Sequence, residues 1–221
     1  GIDERRIHII TAGRDAALHV GKTFENYSDG EKRSFSRKKT ALYIGWPTRV
    51  RGIELLLDAY AIAARQAKNL YLKILARGED TADRRRLHRL VSEHPGRDRI
   101  SIIEGFLPRE DVFDHIRASD FGVLPFIQVP ADRPLSFLEF FELGKPVIST
   151  DASGIPDLIG GNRGIIANRV NPESLAGAML KMAGMDVEDY KKYQDACLIF
   201  ADEYPAWDDV VVQLASILNE N

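Results

Sequence analysis

Pro134-Leu-Ser-Phe-Leu-Glu-Phe-Phe-Glu-Leu-Gly-Lys-Pro-Val-Ile-Ser-Thr150, followed by Gly154-Ile-Pro-Asp157, reads as helix, tight turn, buried strand and polar loop. Pro134 suits the first turn of a helix, because its ring presets φ and its missing N–H would have no intrahelical partner there. Gly144 supplies the stop before the short apolar strand 146–149. A helix that begins at a strand's carboxyl end presents free backbone N–H groups and a positive dipole end to an anion; here Leu135 and Ser136, behind Pro134, carry those groups. One turn further in, Glu139 lies among Phe137, Leu138, Phe140 and Phe141. A carboxylate in such company needs a partner, whether an Arg or Lys cation or the paired hydroxyls of a diol. Glu142, three residues on, reads as helix surface.

Outward from this stretch, apolar β-branched runs alternate with segments of helical period, which predicts parallel strands joined by crossover helices. Strands are expected at 7–11, 41–45, 71–76, 100–104, 121–125, 146–149 and 164–167. Helices are expected at 52–66, 82–93, 109–118, 134–143, 172–182, 188–203 and 207–219. The order is that of an α/β, Rossmann-like doubly wound parallel sheet, in which ligands bind at the strands' carboxyl ends, where the strand order reverses. Residues 13–39 are polar with few periodic apolar positions and read as a long connection. The expected division is 1–40 as an N-terminal strand and connecting segment, 41–201 as the ligand-binding domain, and 202–221 as a closing C-terminal helix.

The 221 residues, 44% of them hydrophobic, suffice for one large or two small domains with a proper core. A net charge of −3 gives no general attraction to nucleic acid or anionic lipid. The single cysteine, Cys197, excludes an internal disulfide. No apolar run approaches a membrane span and the N-terminus lacks a signal-peptide core, so the expectation is a cytoplasmic protein. The start at Gly1 without a methionine suggests a fragment. The five histidines, His8, His19, His88, His94 and His115, show no ligand spacing, and no Asp-x-Asp pair sits in a recognisable metal loop, so a metal-independent site without a cofactor is expected. The basic run Arg84-Arg-Arg-Leu-His-Arg89 is flanked by Glu79, Asp80, Asp83 and Glu93 and reads as a solvated helix face rather than a nucleic-acid patch.

The opening stretch closely resembles the donor-site motif of nucleotide-sugar glycosyltransferases of the two-domain GT-B architecture, in particular the large family 4, or glycosyl transferases group 1. That motif has a Glu five residues before a Gly, then x-Pro-Val-Ile and a Gly-Ile-Pro-Glu-like loop. Glu139, Gly144, Pro146, Val147, Ile148, Gly154, Ile155, Pro156 and Asp157 fill it. The resemblance extends to Gly13 and Asp15 in Ile10-Thr-Ala-Gly-Arg-Asp15, to Tyr43-Ile-Gly-Trp-Pro-Thr-Arg-Val-Arg-Gly-Ile53, and to Leu75-Ala-Arg-Gly-Glu79. It continues through Gly105-Phe-Leu-Pro108 and Ala118-Ser-Asp-Phe-Gly-Val-Leu-Pro125 to Trp207. It implies that the chain is one half of a GT-B fold, the C-terminal half that binds the donor. The acceptor, a saccharide or lipid, would be held by an N-terminal domain absent here, and the parent protein could sit peripherally at the inner membrane face.

The same resemblance implies the site residues. Arg51 and Arg49 would contact the diphosphate of a UDP- or GDP-linked sugar and stabilise the charge that grows on the leaving group. Arg51 stands at the family's Lys position, while Trp46 stands where the family often has an Arg. Read from the residues alone, the two arginines are an ordinary solvated loop pair. Glu139 would hold the ribose, and Pro134, Leu135 and Ser136 would frame the distal phosphate. The base would rest near Arg77, Phe106 and Leu107; Phe106 reads equally as core. Many family members carry a second Glu eight residues before the ribose-binding one. Ala131 stands there in this chain, and Asp132, one residue off, is the candidate for the donor sugar. A related branch reads Ser-Pro-Leu-Lys-Leu-Phe-Glu-Tyr, with Arg133, Ser136 and Phe140 replacing its Ser, Lys and Tyr. Two other functions remain open: a degenerate nucleotide-binding or scaffold domain, and a GT-B relative such as a nucleotide-sugar epimerase or a phosphorylase. The fragment alone is expected to bind donor weakly and to be inactive.

Overall fold

The computed structural model describes residues 13, 37–78, 81–129, 134–152 and 154–219. Strand 7–11, most of the connection 13–39, Glu79, Asp80, the donor-sugar candidate Asp132 and its neighbours Ala131 and Arg133 lie outside them. Two compact units emerge, residues 33–201 and a smaller one to which 202–221 belongs.

The larger unit is built on a six-stranded sheet in the order β3-β2-β1-β4-β5-β6. The strands are β1 (Lys39–Gly45), β2 (Leu70–Ala76), β3 (Ile100–Glu104), β4 (Phe121–Leu124), β5 (Val147–Thr150) and β6 (Gly164–Ala167). All pairs are parallel. The doubly wound order expected from the alternation is therefore present, with the reversal between β1 and β4. Helices α1 (Ile53–Gln66), α2 (Thr81–Ser92), α3 (Arg109–Arg117), α4 (Leu135–Phe141), α5 (Ile155–Ile159), α6 (Pro172–Gly184) and α7 (Val187–Glu203) connect and cover the strands.

The strands read as apolar runs because both faces are covered. On one face Ala41, Tyr43, Leu72, Ile74 and Val123 pack with α1 and α6 in a buried core. The other holds a cluster of aromatic rings: Phe137 stacks on Phe126 at 6.1 Å, and Phe141 meets Phe200 of α7 edge-on at 5.7 Å. Gly122 of β4 lies under the Phe140 ring, where a Cβ would come within 2.9 Å of it. Below the reversal, Asp120 accepts the Thr40 N–H at 2.8 Å and faces the buried Lys39 ammonium at 3.8 Å, fixing the starts of β1 and β4 together. In the smaller unit, α8 (Trp207–Asn219) matches the expected bounds, and Gly13 lies where a Cβ would sit 2.6 Å from the Trp207 backbone.

The residues 154–157, read as loop, form the start of α5: Gly154 turns the chain with φ 77°, Pro156 sits in the first turn, and Ile155, Leu158 and Ile159 are buried. A five-residue helix is too short to show a period in sequence. Glu142, expected on the surface, is buried with 8% exposure. It follows the buried Leu138 by one helical turn and so shares its inward face.

Candidate functional site

The carboxyl ends of β1 and β4 diverge, and the loops that follow them build a crevice at the reversal. Main-chain contacts hold its floor. Ile127 and Gln128 N–H groups both donate to the Val50 carbonyl, at 2.9 and 3.0 Å. Gly52, with φ 73°, lies so close to the Pro125 carbonyl that a Cβ would meet it at 1.8 Å. The Arg77 N–H donates to the Gly45 carbonyl at 3.0 Å, tying the end of β2 to the same loop.

Glu139 projects from α4 and is mostly buried. Its Oε1 lies 3.6 Å from Arg77 Nη2, while Oε2 is buried and accepts no hydrogen bond among the described residues. Burial pushes the carboxyl above its ordinary value; the Arg77 and Arg109 guanidinium groups pull the other way. Of the two partners the sequence leaves open for this carboxylate, the arginine is present and half of the carboxylate still lacks a donor. Leu135 and Ser136 open α4, and Pro134 forms its cap without a side-chain hydrogen bond.

The two arginines of the β1 loop diverge. Arg51 lies with its Cζ 5.5 Å from the centre of the buried Phe126 ring, beside Gly45 and Tyr43. Arg49 is 75% exposed in its side chain and its Nε donates to Glu54 Oε1 at 3.1 Å. Trp46, 48% exposed, covers Gly78, whose φ of 99° brings the backbone against the indole. Phe106 is 67% exposed beside Gly105, which excludes the core reading for that residue. Leu107 is partly buried.

Two members of the basic run are not solvated. The Arg84 guanidinium donates to the Gly78 carbonyl. Arg86 donates to the Pro47 carbonyl at 2.9 Å and faces Asp83 at 3.0 Å and Glu54 at 3.7 Å. Charge flanking the run in sequence gives no sign of this: the Gly78 carbonyl belongs to the turn just before α2, and the Pro47 carbonyl to the loop after β1, which the fold brings to α2. Arg109 was likewise missed as a neighbour of Glu139; a single Arg at a helix start carries no motif. No group of three or more His, Cys, Asp or Glu side chains suited to a metal ion occurs among the described residues. No helix among them is long and apolar enough to cross a membrane.

Residues 38–184 match the family of glycosyl transferases group 1, a span that includes the sheet and every loop of the crevice. The chain belongs to the glycosyl transferases group 1 family. Among curated members it is 26% identical over 142 residues to the amylovoran biosynthesis glycosyltransferase AmsK of Erwinia amylovora, covering 62% of this chain and 34% of that protein. It is 24% identical over 153 residues to the alpha-D-kanosaminyltransferase of Streptomyces kanamyceticus, covering 69% and 38%. The chain thus spans about a third of the length of the curated relatives it matches. Among solved structures, HepE of Anabaena in complex with UDP and glucose superposes with a TM-score of 0.76 at 15% identity, over 97% of this chain and 57% of that one. Sucrose-phosphate synthase of Thermosynechococcus elongatus gives 0.78 at 21%, over 96% and 52%. This group 1 chain therefore has the fold of one Rossmann-like half of a GT-B enzyme.

Proposed function

We propose that this chain is the donor-binding half of a glycosyltransferase that moves a sugar from a nucleoside diphosphate to an acceptor held by a separate N-terminal domain. The observation that carries the reading is Glu139: a mostly buried carboxylate at the strand reversal, with one oxygen beside Arg77 and the other without a donor among the described residues. A ribose diol supplies two O–H donors in the geometry a carboxylate accepts. Arg51, steadied by Phe126 and Gly45, is placed to meet the diphosphate and to stabilise negative charge as the sugar departs. The first-turn N–H groups of Leu135 and Ser136 have no intrahelical acceptor and are suited to the distal phosphate. Phe106 offers an exposed ring for the base near Arg77, with Leu107 beside it. Asp132 keeps its proposed place at the donor sugar. Arg49 serves as the second cation once it leaves Glu54.

The acceptor would be a saccharide or lipid, and the chain alone would turn nothing over because the reaction needs both sides of the cleft. Since HepE is solved with UDP, UDP is the first nucleotide to test, beside GDP and ADP. Calorimetric titration of the three, with Glu139→Ala and Arg51→Ala as controls, decides the matter. Saturable binding of one nucleotide that both changes weaken supports a working donor site. Equal binding by wild type and both variants refutes it.

A further inference from the structure

We propose that the groove at the opposite, amino-terminal edge of the sheet is a second ligand site, one that takes a phosphate group on a small molecule or headgroup. A cavity of about 560 Å³ lies there, at the starts of β1, β2 and β3, far along the strands from the crevice at their carboxyl ends. Its volume is in the range of small-molecule sites. Lys38, Tyr71, Lys73 and Ser101 line it.

The groove is lined by more cations than acids: Arg37, Lys38, Lys73 and Arg99 against Asp98 and Asp120. Asp120 is engaged by Lys39 and the Thr40 N–H, and Asp98 lies exposed beside Arg97. Arg99 adds positive charge, but its Nη1 donates to the carbonyls of Ala67, Lys68 and Leu70 and its Nη2 to that of Ala64. Lys38 and Lys73 differ. The Lys38 ammonium stands 4.2 Å over the Tyr71 ring, and Lys73 Nζ lies 3.5 Å from His115 Nδ1. Neither ammonium meets a carboxylate among the described residues. Two basic groups lining one groove, on a chain of net charge −3, gain from an anion held in it. His115 of α3 reports the imbalance: burial and then Lys73 hold its pKa below the ordinary value, outweighing Asp111 and Asp114 on its own helix. A phosphate has acceptor oxygens enough for both ammonium groups and for the Tyr71 and Ser101 hydroxyls.

The test follows the His115 ring by NMR while inorganic phosphate is titrated into the chain. A parallel arm measures co-sedimentation with phosphatidylcholine vesicles with and without phosphatidic acid. A saturable shift is expected, with the His115 pKa rising as phosphate binds. Lys38→Gln and Lys73→Gln, checked for folding by circular dichroism, should each weaken binding by about tenfold through loss of a charge-assisted hydrogen bond. Arg51→Ala, which removes the cation proposed for the donor diphosphate, should leave phosphate binding at the groove unchanged, which separates this site from the donor crevice. Saturation by phosphate without vesicle binding assigns a soluble phosphate ester. Phosphatidic acid-dependent vesicle binding that both lysine variants lose assigns a lipid headgroup. Neither response, or responses equal in wild type and both lysine variants, overturns the proposal.

Discussion

Replacing Glu139 is the sharpest perturbation of the crevice. In Glu139→Ala two charge-assisted hydrogen bonds to the ribose disappear, each worth about 1.5–3 kcal/mol. Part of that loss is offset because a buried carboxylate, costly without the ribose, is also removed. A net loss of about 3 kcal/mol corresponds to roughly a hundredfold weaker nucleotide. Glu139→Gln keeps the shape and one acceptor but loses the charge, so it should fall between the two. The pH profile adds an independent reading. Burial raises the Glu139 pKa above its unfolded value, so the stability tied to this group is fully present below the ordinary value of 4.5 and is lost as pH rises through the folded pKa. Ribose binding has the opposite preference, because the diol donates to the ionised form. Nucleotide affinity in the wild type should therefore fall as pH drops from neutral, starting above the ordinary carboxylate range, and Glu139→Gln should flatten that dependence. Calorimetry with UDP over a pH series measures both. Wild-type affinity and an unchanged pH profile in Glu139→Gln would refute the assignment of the ribose to this carboxylate.

Three further expectations come from the surrounding structure. Gly52→Ala forces a side chain into a left-handed turn against the Pro125 carbonyl and should cost at least about 2 kcal/mol, read as a lower urea midpoint. Asp120→Ala leaves the Lys39 ammonium buried without its carboxylate and should destabilise the chain by about 3–5 kcal/mol; adding Lys39→Met should recover part of it, and a double variant no better than the single one would contradict the pairing. Arg51→Ala should weaken a nucleoside diphosphate by about tenfold and the corresponding nucleoside hardly at all. Arg49→Ala should cost less, since that side chain must first leave Glu54; calorimetry with both ligands gives the ratio.

Much of the larger unit was legible in sequence because its signals are local and repeated. Strands 100–104 and 164–167 carry the bounds expected of them, as does helix 207–219 in the smaller unit, each closed by a turn residue or a change of period. The doubly wound parallel sheet follows from the alternation of strands with helices. What the sequence does not carry is the tertiary context. Glu142 reads as helix surface, yet it lies one turn after the buried Leu138 and faces inward. Arg86 reads as solvated because the Pro47 carbonyl it serves is distant in the chain, and Arg84 because the local turn at Gly78 that it binds has no sequence signature. Arg109 near Glu139 and Phe126 beneath Arg51 needed the fold before they could be seen at all.

The shape of the crevice is held by its main chain rather than by the side chains that line it. Three loops, after β1, β2 and β4, are joined by main-chain contacts: Val50 carbonyl to Ile127 and Gln128, Gly45 carbonyl to Arg77, and Gly52 against Pro125. None of these depends on the side chain at position 46. A tryptophan there, resting on Gly78, leaves the scaffold as it is and changes only what the crevice offers: a flat, half-exposed ring in place of a cation. In the proposed donor site, without a cation at position 46, the positive charge for a diphosphate would fall on Arg51, since Arg49 is paired with Glu54. Donor binding in this chain should consequently depend on Arg51 more steeply than a site with two fixed cations would, because no second fixed charge from the loop after β1 stands ready to compensate.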